Sequence, residues 1–349
     1  MHKKMAILWV IALLMLLATT ASEARVVEPT LLEMATTQTS HMIQTASVFE
    51  KGTYEIATIT IRKSHPSSPP HPLLVVSPKT TREYPIILFV HGTFLQNSAY
   101  SDLFQHIASH GYIIVAPQLW SSVLFFPSQY HEIEMAASVA NWLSKNLQDV
   151  LPSDVHGDLS KLAVSGHSRG GKTAFALALG ITDTKLEVEI SALIGLDPLA
   201  GRSKNHLTEP HVLTYVPNSF NLSIPTMVIG SGLGNQSILP IFVPPCAPNE
   251  VNYVEFFNEC GVGTKFVLTN YGHMDMLNNE LGFISSKASS ACVKGNCRKV
   301  VARRTIGGLI VAFLAASFLQ DPSDYVNIIA NPSLAPARLY PVETKIRHD

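Results

Sequence analysis

The chain has 349 residues, 46% of them hydrophobic and 15% charged, with a formal net charge of −1. Such proportions are ordinary for one large globular domain, a size that an open α/β sheet reaches. The near-neutral balance and the lack of any long basic run argue against nucleic acid as a partner and favour a small or apolar substrate.

In chain order, Met1-His-Lys-Lys4 followed by a solid apolar block to Ala18 has the charged and hydrophobic regions of a secretory signal, with cleavage expected after Ala24. Residues 25–47 carry no sustained period and read as a mobile lead-in. Residues 52–62 then alternate polar with apolar, as a half-buried strand does, and the prolines of His65-Pro-Ser-Ser-Pro-Pro-His-Pro72 force a turn before Leu73-Leu-Val-Val76 returns. That predicts an antiparallel hairpin at a sheet edge. From there the pattern changes to continuous apolar runs at 85–90, 112–116, 161–165, 190–195, 225–230 and 264–269, which is how strands covered on both faces read. Helical patterns fit between them at about 101–110, 132–147 and 171–179, with a last one at 306–319. The last is apolar almost all round, but too short to span about 30 Å of hydrocarbon, so a buried helix is expected. The expected fold class is α/β: a mostly parallel central sheet with an N-terminal antiparallel hairpin and helices on both faces. The catalytic domain is expected over 48–322, with 323–349 as a C-terminal tail.

The chemistry concentrates where these runs end, because the carboxyl ends of parallel strands face one crevice. The run at 161–165 breaks into Gly166-His-Ser-Arg-Gly170 and then a helix, the form of a nucleophile elbow that lifts Ser168 clear of the sheet. After the run at 85–90 comes His91-Gly-Thr-Phe94, whose turn can aim a backbone N–H of Thr93 or Phe94 at an oxyanion, with Arg169 supplying the second donor. The acid must follow the serine and the base must follow the acid. Asp197 stands directly past the next buried run, and no carboxylate stands in Gly230-Ser-Gly-Leu-Gly-Asn235 after the one following, so Asp197 is preferred. His273, in Asn270-Tyr-Gly-His-Met-Asp-Met276, is the one histidine at a late strand end in the right order, and Asp275 is given a local structural role. The set implies acyl transfer from an ester through Ser168, without cofactor. No HExxH or CxxC occurs; His131-Glu-Ile-Glu134 reads as the exposed start of a helix, and no metal is expected.

Clustered apolar residues in the loops after two strands, Leu124, Phe125 and Phe126 in one and Ile241 and Phe242 in the other, suggest the wall of an apolar ligand site, the alternative being that they pack on each other. The sequons at Asn221 and Asn235 and an even number of cysteines agree with secretion. Four cysteines allow three pairings; neighbours in sequence, Cys246 with Cys260 and Cys292 with Cys297, each bracket a turn-rich loop and are expected to pair unless a reducing compartment keeps them free.

The extended blocks Gly166-His-Ser-Arg-Gly-Gly-Lys-Thr-Ala-Phe175, Gly195-Leu-Asp-Pro-Leu-Ala-Gly201, Thr208-Glu-Pro-His-Val-Leu-Thr214, Pro217-Asn-Ser-Phe-Asn-Leu222 and Tyr271-Gly-His-Met-Asp-Met-Leu277 resemble those of plant chlorophyllases, over about 48–320. The resemblance implies an α/β-hydrolase fold and hydrolysis of the phytyl ester of chlorophyll, with Ser168, Asp197 and His273 as triad. It implies a phytylated tetrapyrrole as partner, whose magnesium belongs to the substrate, and a peripheral membrane contact to reach it. Family members occur in plastids as well as endomembranes, so the chloroplast is the alternative to the secretory route. A general lipase or esterase of the same fold, or a pigment-binding protein without turnover, are the rival readings. Leu199 and Lys204-Asn-His-Leu207 depart from the family pattern in a loop near the acid.

Overall fold

The computed structural model describes residues 47–120, 126–239 and 243–346. The expected signal segment and nearly all of the lead-in lie outside the described residues.

The hairpin is β1 (Ile56–Ile61) paired antiparallel with β2 (Leu73–Pro78). The parallel centre comprises β3 (Arg82–Val90), β4 (Ile113–Pro117), β5 (Val155–His167), β6 (Ala192–Leu196), β9 (Thr226–Ser231) and β10 (Gly263–Leu268). A separate short ribbon, β7 (Gly201–Ser203) with β8 (His206–Leu207), follows β6. With β11 (Leu339–Lys345) at the far edge, nine strands form one sheet in the order β1-β2-β4-β3-β5-β6-β9-β10-β11. Alternate residues of each central strand feed two different cores: Ile87 and Phe89 of β3 belong to one cluster, and Ile86, Leu88 and Val90 to the other. This two-sided burial is why the strands read as unbroken apolar runs.

One face is covered by α1 (Ser101–Ala108), α6 (Lys299–Phe318) and α7 (Ser323–Ala330). The other carries α2 (Gln129–Asn146), α3 (Arg169–Ala178) and the short α4 (Tyr253–Glu259); α5 (Phe283–Ser290) lies between β10 and α6 in the chain. Chain order reverses at β3, which lies between β4 and β5, so the carboxyl ends of β3 and β5 flank the crevice where ligands of open α/β sheets bind.

Three expectations need correction. Within the expected tail, the described residues 323–346 are built into the fold: α7 packs on the first core, and β11 pairs antiparallel with β10 and closes that sheet edge. Beyond the buried Leu339 its residues are half-buried or exposed, so it lacks the continuous apolar run by which the central strands are read. The last long helix starts at Lys299, seven residues before the expected Ile306, and takes in Arg303, which is buried. Its guanidinium donates to the Leu277 carbonyl at 2.7 Å and pairs with Asp102 at 3.1 Å. At 20 residues this helix has the length and composition of a membrane span, yet most of its surface is covered by the fold. The disulfide is Cys246–Cys292, with Cα atoms 5.6 Å apart, while Cys260 and Cys297 are free thiols. The neighbour pairing fails because α4 carries the chain from Cys246, past the carboxyl end of β9, back to the amino end of β10, where Cys260 is buried and its thiol donates to the Phe256 carbonyl. Cys292 follows β10 and α5 and so returns to the edge where Cys246 lies.

Candidate active site

Ser168 follows the last residue of β5 and is the cap from which α3 starts, with φ 58° and ψ −124°. A non-glycine residue in that conformation is strained, and the surroundings hold it there. Glycine is required at either side: a Cβ on Gly166 would lie 2.1 Å from the Gly170 carbonyl oxygen, and one on Gly170 would lie 2.3 Å from that of Val90. The elbow is therefore pressed against both its own helix and β3. The Ser168 N–H donates to the Leu196 carbonyl at 3.0 Å, which ties the turn to the end of β6.

Asp197, the residue after β6, is fully buried and also has a positive φ of 44°. His273, on the loop after β10, turns its ring inward, and its Nδ1 donates to Asp197 Oδ2 at 2.7 Å. The His273 ring lies against His167, the residue preceding the serine, with centroids 4.6 Å apart. Asp197 has a further partner that sequence reasoning missed: the Ser231 hydroxyl donates to Oδ2, and the Ser231 N–H approaches Oδ1 at 3.4 Å. Ser231 ends β9, the strand end that lacks a carboxylate, so that position holds the acid instead of supplying it. Asp275 accepts from the N–H groups of Gly272 and Gly295, at 2.7 Å each, and pins the base-bearing loop to the segment after the disulfide.

The turn after β3 covers the serine. A Cβ on Gly92 would fall 3.2 Å from Ser168 Cβ and 2.9 Å from His167 Nδ1, so only glycine fits there. Among the described residues no acceptor partners the backbone N–H of Arg169, or that of Thr93 or Phe94, the two alternatives for the other expected oxyanion donor. His91 braces the turn: its Nδ1 donates to the Gly92 carbonyl at 3.0 Å, and its Nε2 accepts from the Leu119 N–H at 3.1 Å. Complete burial depresses its pKa, which keeps the imidazole neutral and able to accept.

Of the expected wall residues, Leu124, Phe125, Ile241 and Phe242 lie outside the described residues. Phe126 is described and is 37% exposed, as is Phe94. With Trp120 these rings form a triangle, the centroids 5.2 Å apart for Phe94 with Phe126, 4.8 Å for Trp120 with Phe126 and 5.9 Å for Phe94 with Trp120. Phe94 has a φ of 58°, a strained turn that carries an exposed aromatic ring at the mouth of the site. The Arg169 guanidinium stacks 4.3 Å over Phe126 and pairs through Nε with Glu132 at 2.7 Å. Glu132, expected at an exposed helix start, is fully buried and accepts in addition from Trp120 Nε1 and the Thr173 hydroxyl. This carboxylate thus couples the aromatic cluster to α3. The sequon residues Asn221 and Asn235 are both exposed. No group of side chains suited to holding a metal ion occurs among the described residues.

The family model described as Chlorophyllase matches residues 44–346. The chain is 52% identical over 321 residues to "Chlorophyllase type 0" of Chenopodium album, covering 89% of each chain. It is 43% identical over 304 residues to "Chlorophyllase-1" of Arabidopsis thaliana, covering 86% of this chain and 93% of the relative. To "Chlorophyllase-1, chloroplastic" of Citrus sinensis it is 43% identical over 317 residues, covering 88% and 92%.

Proposed function

We propose that this chain, which belongs to the chlorophyllase family, is a serine carboxylesterase that hydrolyses the phytyl ester of chlorophyll to chlorophyllide and phytol. The observation that carries the reading is the Ser168 elbow, tied to Leu196 beside Asp197, with His273 bonded to Asp197 and its ring laid against His167, the residue before the serine.

In this mechanism His273 Nε2 takes the Ser168 proton as Oγ attacks the ester carbonyl, while Asp197 holds Nδ1–H and stabilises the imidazolium. The oxyanion is received by the N–H of Arg169 and that of Thr93 or Phe94; removing one such donor typically costs about 2.7–4 kcal/mol of transition-state stabilisation. The imidazolium then protonates the departing phytol oxygen, leaving a chlorophyllide acyl group on Ser168. Water, deprotonated by His273, releases it and restores the serine. Every proton in the cycle passes through His273, so the chemistry needs no resident cofactor.

Phe94, Trp120 and Phe126 offer flat apolar faces to a macrocycle or an isoprenoid chain. The rim also supports peripheral contact with a lipid surface. Phe283 is 78% exposed at the start of α5, close to Phe94 through Ser285, whose hydroxyl meets the Phe94 carbonyl and the Gln96 N–H. Replacing both Phe283 and Phe126 by Ala should weaken co-sedimentation with anionic liposomes; unchanged binding would remove the rim from the proposal. For the compartment, the word "chloroplastic" in the citrus relative's name favours the plastid, while the charged and apolar N-terminus favours the endomembrane route. N-terminal sequencing of the mature protein together with organelle fractionation decides between them.

The direct test compares chlorophyllide release from chlorophyll, and turnover of a short p-nitrophenyl ester, by wild type and Ser168→Ala. Loss of both activities is expected in the variant. Retained activity overturns the site, and turnover of the short ester without chlorophyllide release by the wild type overturns the substrate.

A further inference from the structure

A buried chain of hydrogen bonds joins the oxyanion turn to the base. The Gly92 N–H donates to the Tyr100 hydroxyl at 3.0 Å, that hydroxyl meets His167 Nδ1 at 2.8 Å, and His167 Nε2 meets the backbone carbonyl of His273 at 3.0 Å. The polarity of the chain is fixed by its ends. A peptide N–H can only donate and a peptide carbonyl can only accept, so His167 must carry its proton on Nε2 and the tyrosine must donate to Nδ1. A second proton on His167 would turn the tyrosine hydroxyl from donor to acceptor at Nδ1 and leave its buried O–H without that partner. Burial and the neighbouring His273 hold the His167 pKa well below the usual histidine range, in keeping with this neutral tautomer. Tyr100 and His167 are completely buried, and neither reaches the crevice as a proton donor or acceptor for substrate.

We propose that Tyr100 and His167 are positioning residues for ester hydrolysis, a one-directional hydrogen-bond chain that sets the backbone of the oxyanion turn and the backbone of the base relative to the elbow between them. The physical need is clear from the geometry: the three parts follow three different strands, β3, β5 and β10, and β10 is separated from β5 by two others in the sheet. Sheet pairing alone leaves the loops after those strands free to shift, and catalytic groups lose rate steeply with displacement, on the order of 10²-fold for 1 Å. His167 is placed to correct this because it is the last residue of β5 and is rigidly followed by Ser168. Its two ring nitrogens reach one loop on each side. The ring of Tyr100 is held independently, tilted against Phe89 and stacked on Phe104 with centroids 4.8 and 5.8 Å away, so its hydroxyl is presented at a fixed point.

The inference rests on the proposed esterase reading, and its test separates the two. Steady-state kcat and KM on p-nitrophenyl butyrate are measured for wild type, Tyr100→Phe, His167→Leu, His167→Gln and Ser168→Ala, each checked for folding by circular dichroism and urea midpoint. Tyr100→Phe keeps the packed ring and removes only the hydroxyl, so it carries the test even where His167→Leu fails to fold. Expected is a kcat lower by about tenfold or more in Tyr100→Phe and His167→Leu with KM within about twofold. His167→Gln should recover most of the loss, because its side-chain amide can still donate to the His273 carbonyl. A folded Tyr100→Phe with wild-type kcat, or a change confined to KM, overturns the proposal while an inactive Ser168→Ala leaves the esterase reading standing. A folded His167→Gln as slow as His167→Leu also overturns it. Activity surviving in Ser168→Ala overturns the esterase reading itself.

Discussion

Ser231 shows how a position that lacks the expected residue can still serve the site. Its hydroxyl and the Nδ1–H of His273 both point at Asp197 Oδ2, inside a completely buried setting where a carboxylate must be fully hydrogen-bonded. Removing the hydroxyl takes away a hydrogen bond to a charged group, worth about 1.5–3 kcal/mol. In Ser231→Ala the acid is less well held when the imidazolium forms, so kcat should fall by about tenfold with KM little changed, since each 1.36 kcal/mol corresponds to tenfold in rate. A fall in KM alone, or no change, would show that Asp197 is oriented sufficiently by His273 and the backbone. At this scale the turn at Ser168 and the pairing of Asp197 with His273 could be anticipated from the sequence because each residue stands shortly after a buried apolar run. Glu132, His167 and Tyr100 could not: their partners come from distant elements, and a glutamate at a helix start or a histidine in a strand carries no local signal of burial.

The elements were legible in proportion to how completely they are covered. Strands β3, β4, β6, β9 and β10 are buried on both faces and read as unbroken apolar runs, whereas the half-buried β11 read as a tail. The start of the described chain shows why burial also decides pH behaviour. The short turn Ser47–Phe49 is fastened to α1 and α6: His106 Nε2 donates to the Val48 carbonyl at 2.9 Å, Arg304 Nε donates to that of Phe49 at 2.9 Å, and Phe49 is buried. Burial lowers the His106 pKa from 6.5 to about 4. The folded protein therefore resists a proton that the unfolded chain accepts, so the stabilisation is fully present above pH 6.5 and is lost as pH falls from there towards 4. By pH 5 the loss is about 2 kcal/mol, because a tenfold rise in proton concentration favours the protonatable unfolded chain by about 1.36 kcal/mol. His106→Gln, which can keep the bond to Val48 but cannot titrate, should narrow the difference in urea midpoint between pH 7 and pH 5. An unchanged difference would place the acid sensitivity in other groups.

For the whole molecule, the strand order could be anticipated in class but not in closure. The parallel centre follows from apolar runs alternating with helices, while the edge at β11 and the Cys246–Cys292 link depend on which chain ends meet at the same side of the sheet. That link joins the segment leaving β9, which begins with Ser231, to the segment after α5 that Asp275 ties to the base loop through Gly295. It therefore fastens the support of Asp197 to the support of His273. The two cysteines are 46 positions apart, and closing a loop of that length in the unfolded chain contributes up to about 4 kcal/mol on the chain-entropy estimate. Replacing both by Ser should lower the urea midpoint accordingly, while Cys297→Ser, which alters an exposed free thiol, should leave it unchanged. Reduction of the wild type with dithiothreitol should lower the midpoint to that of the double variant and have no effect on the double variant itself. Should the double variant keep the wild-type midpoint but lose kcat, the bond acts by aligning the two supports rather than by restricting the unfolded chain; should both values stay at wild type, the link bears neither on stability nor on the site.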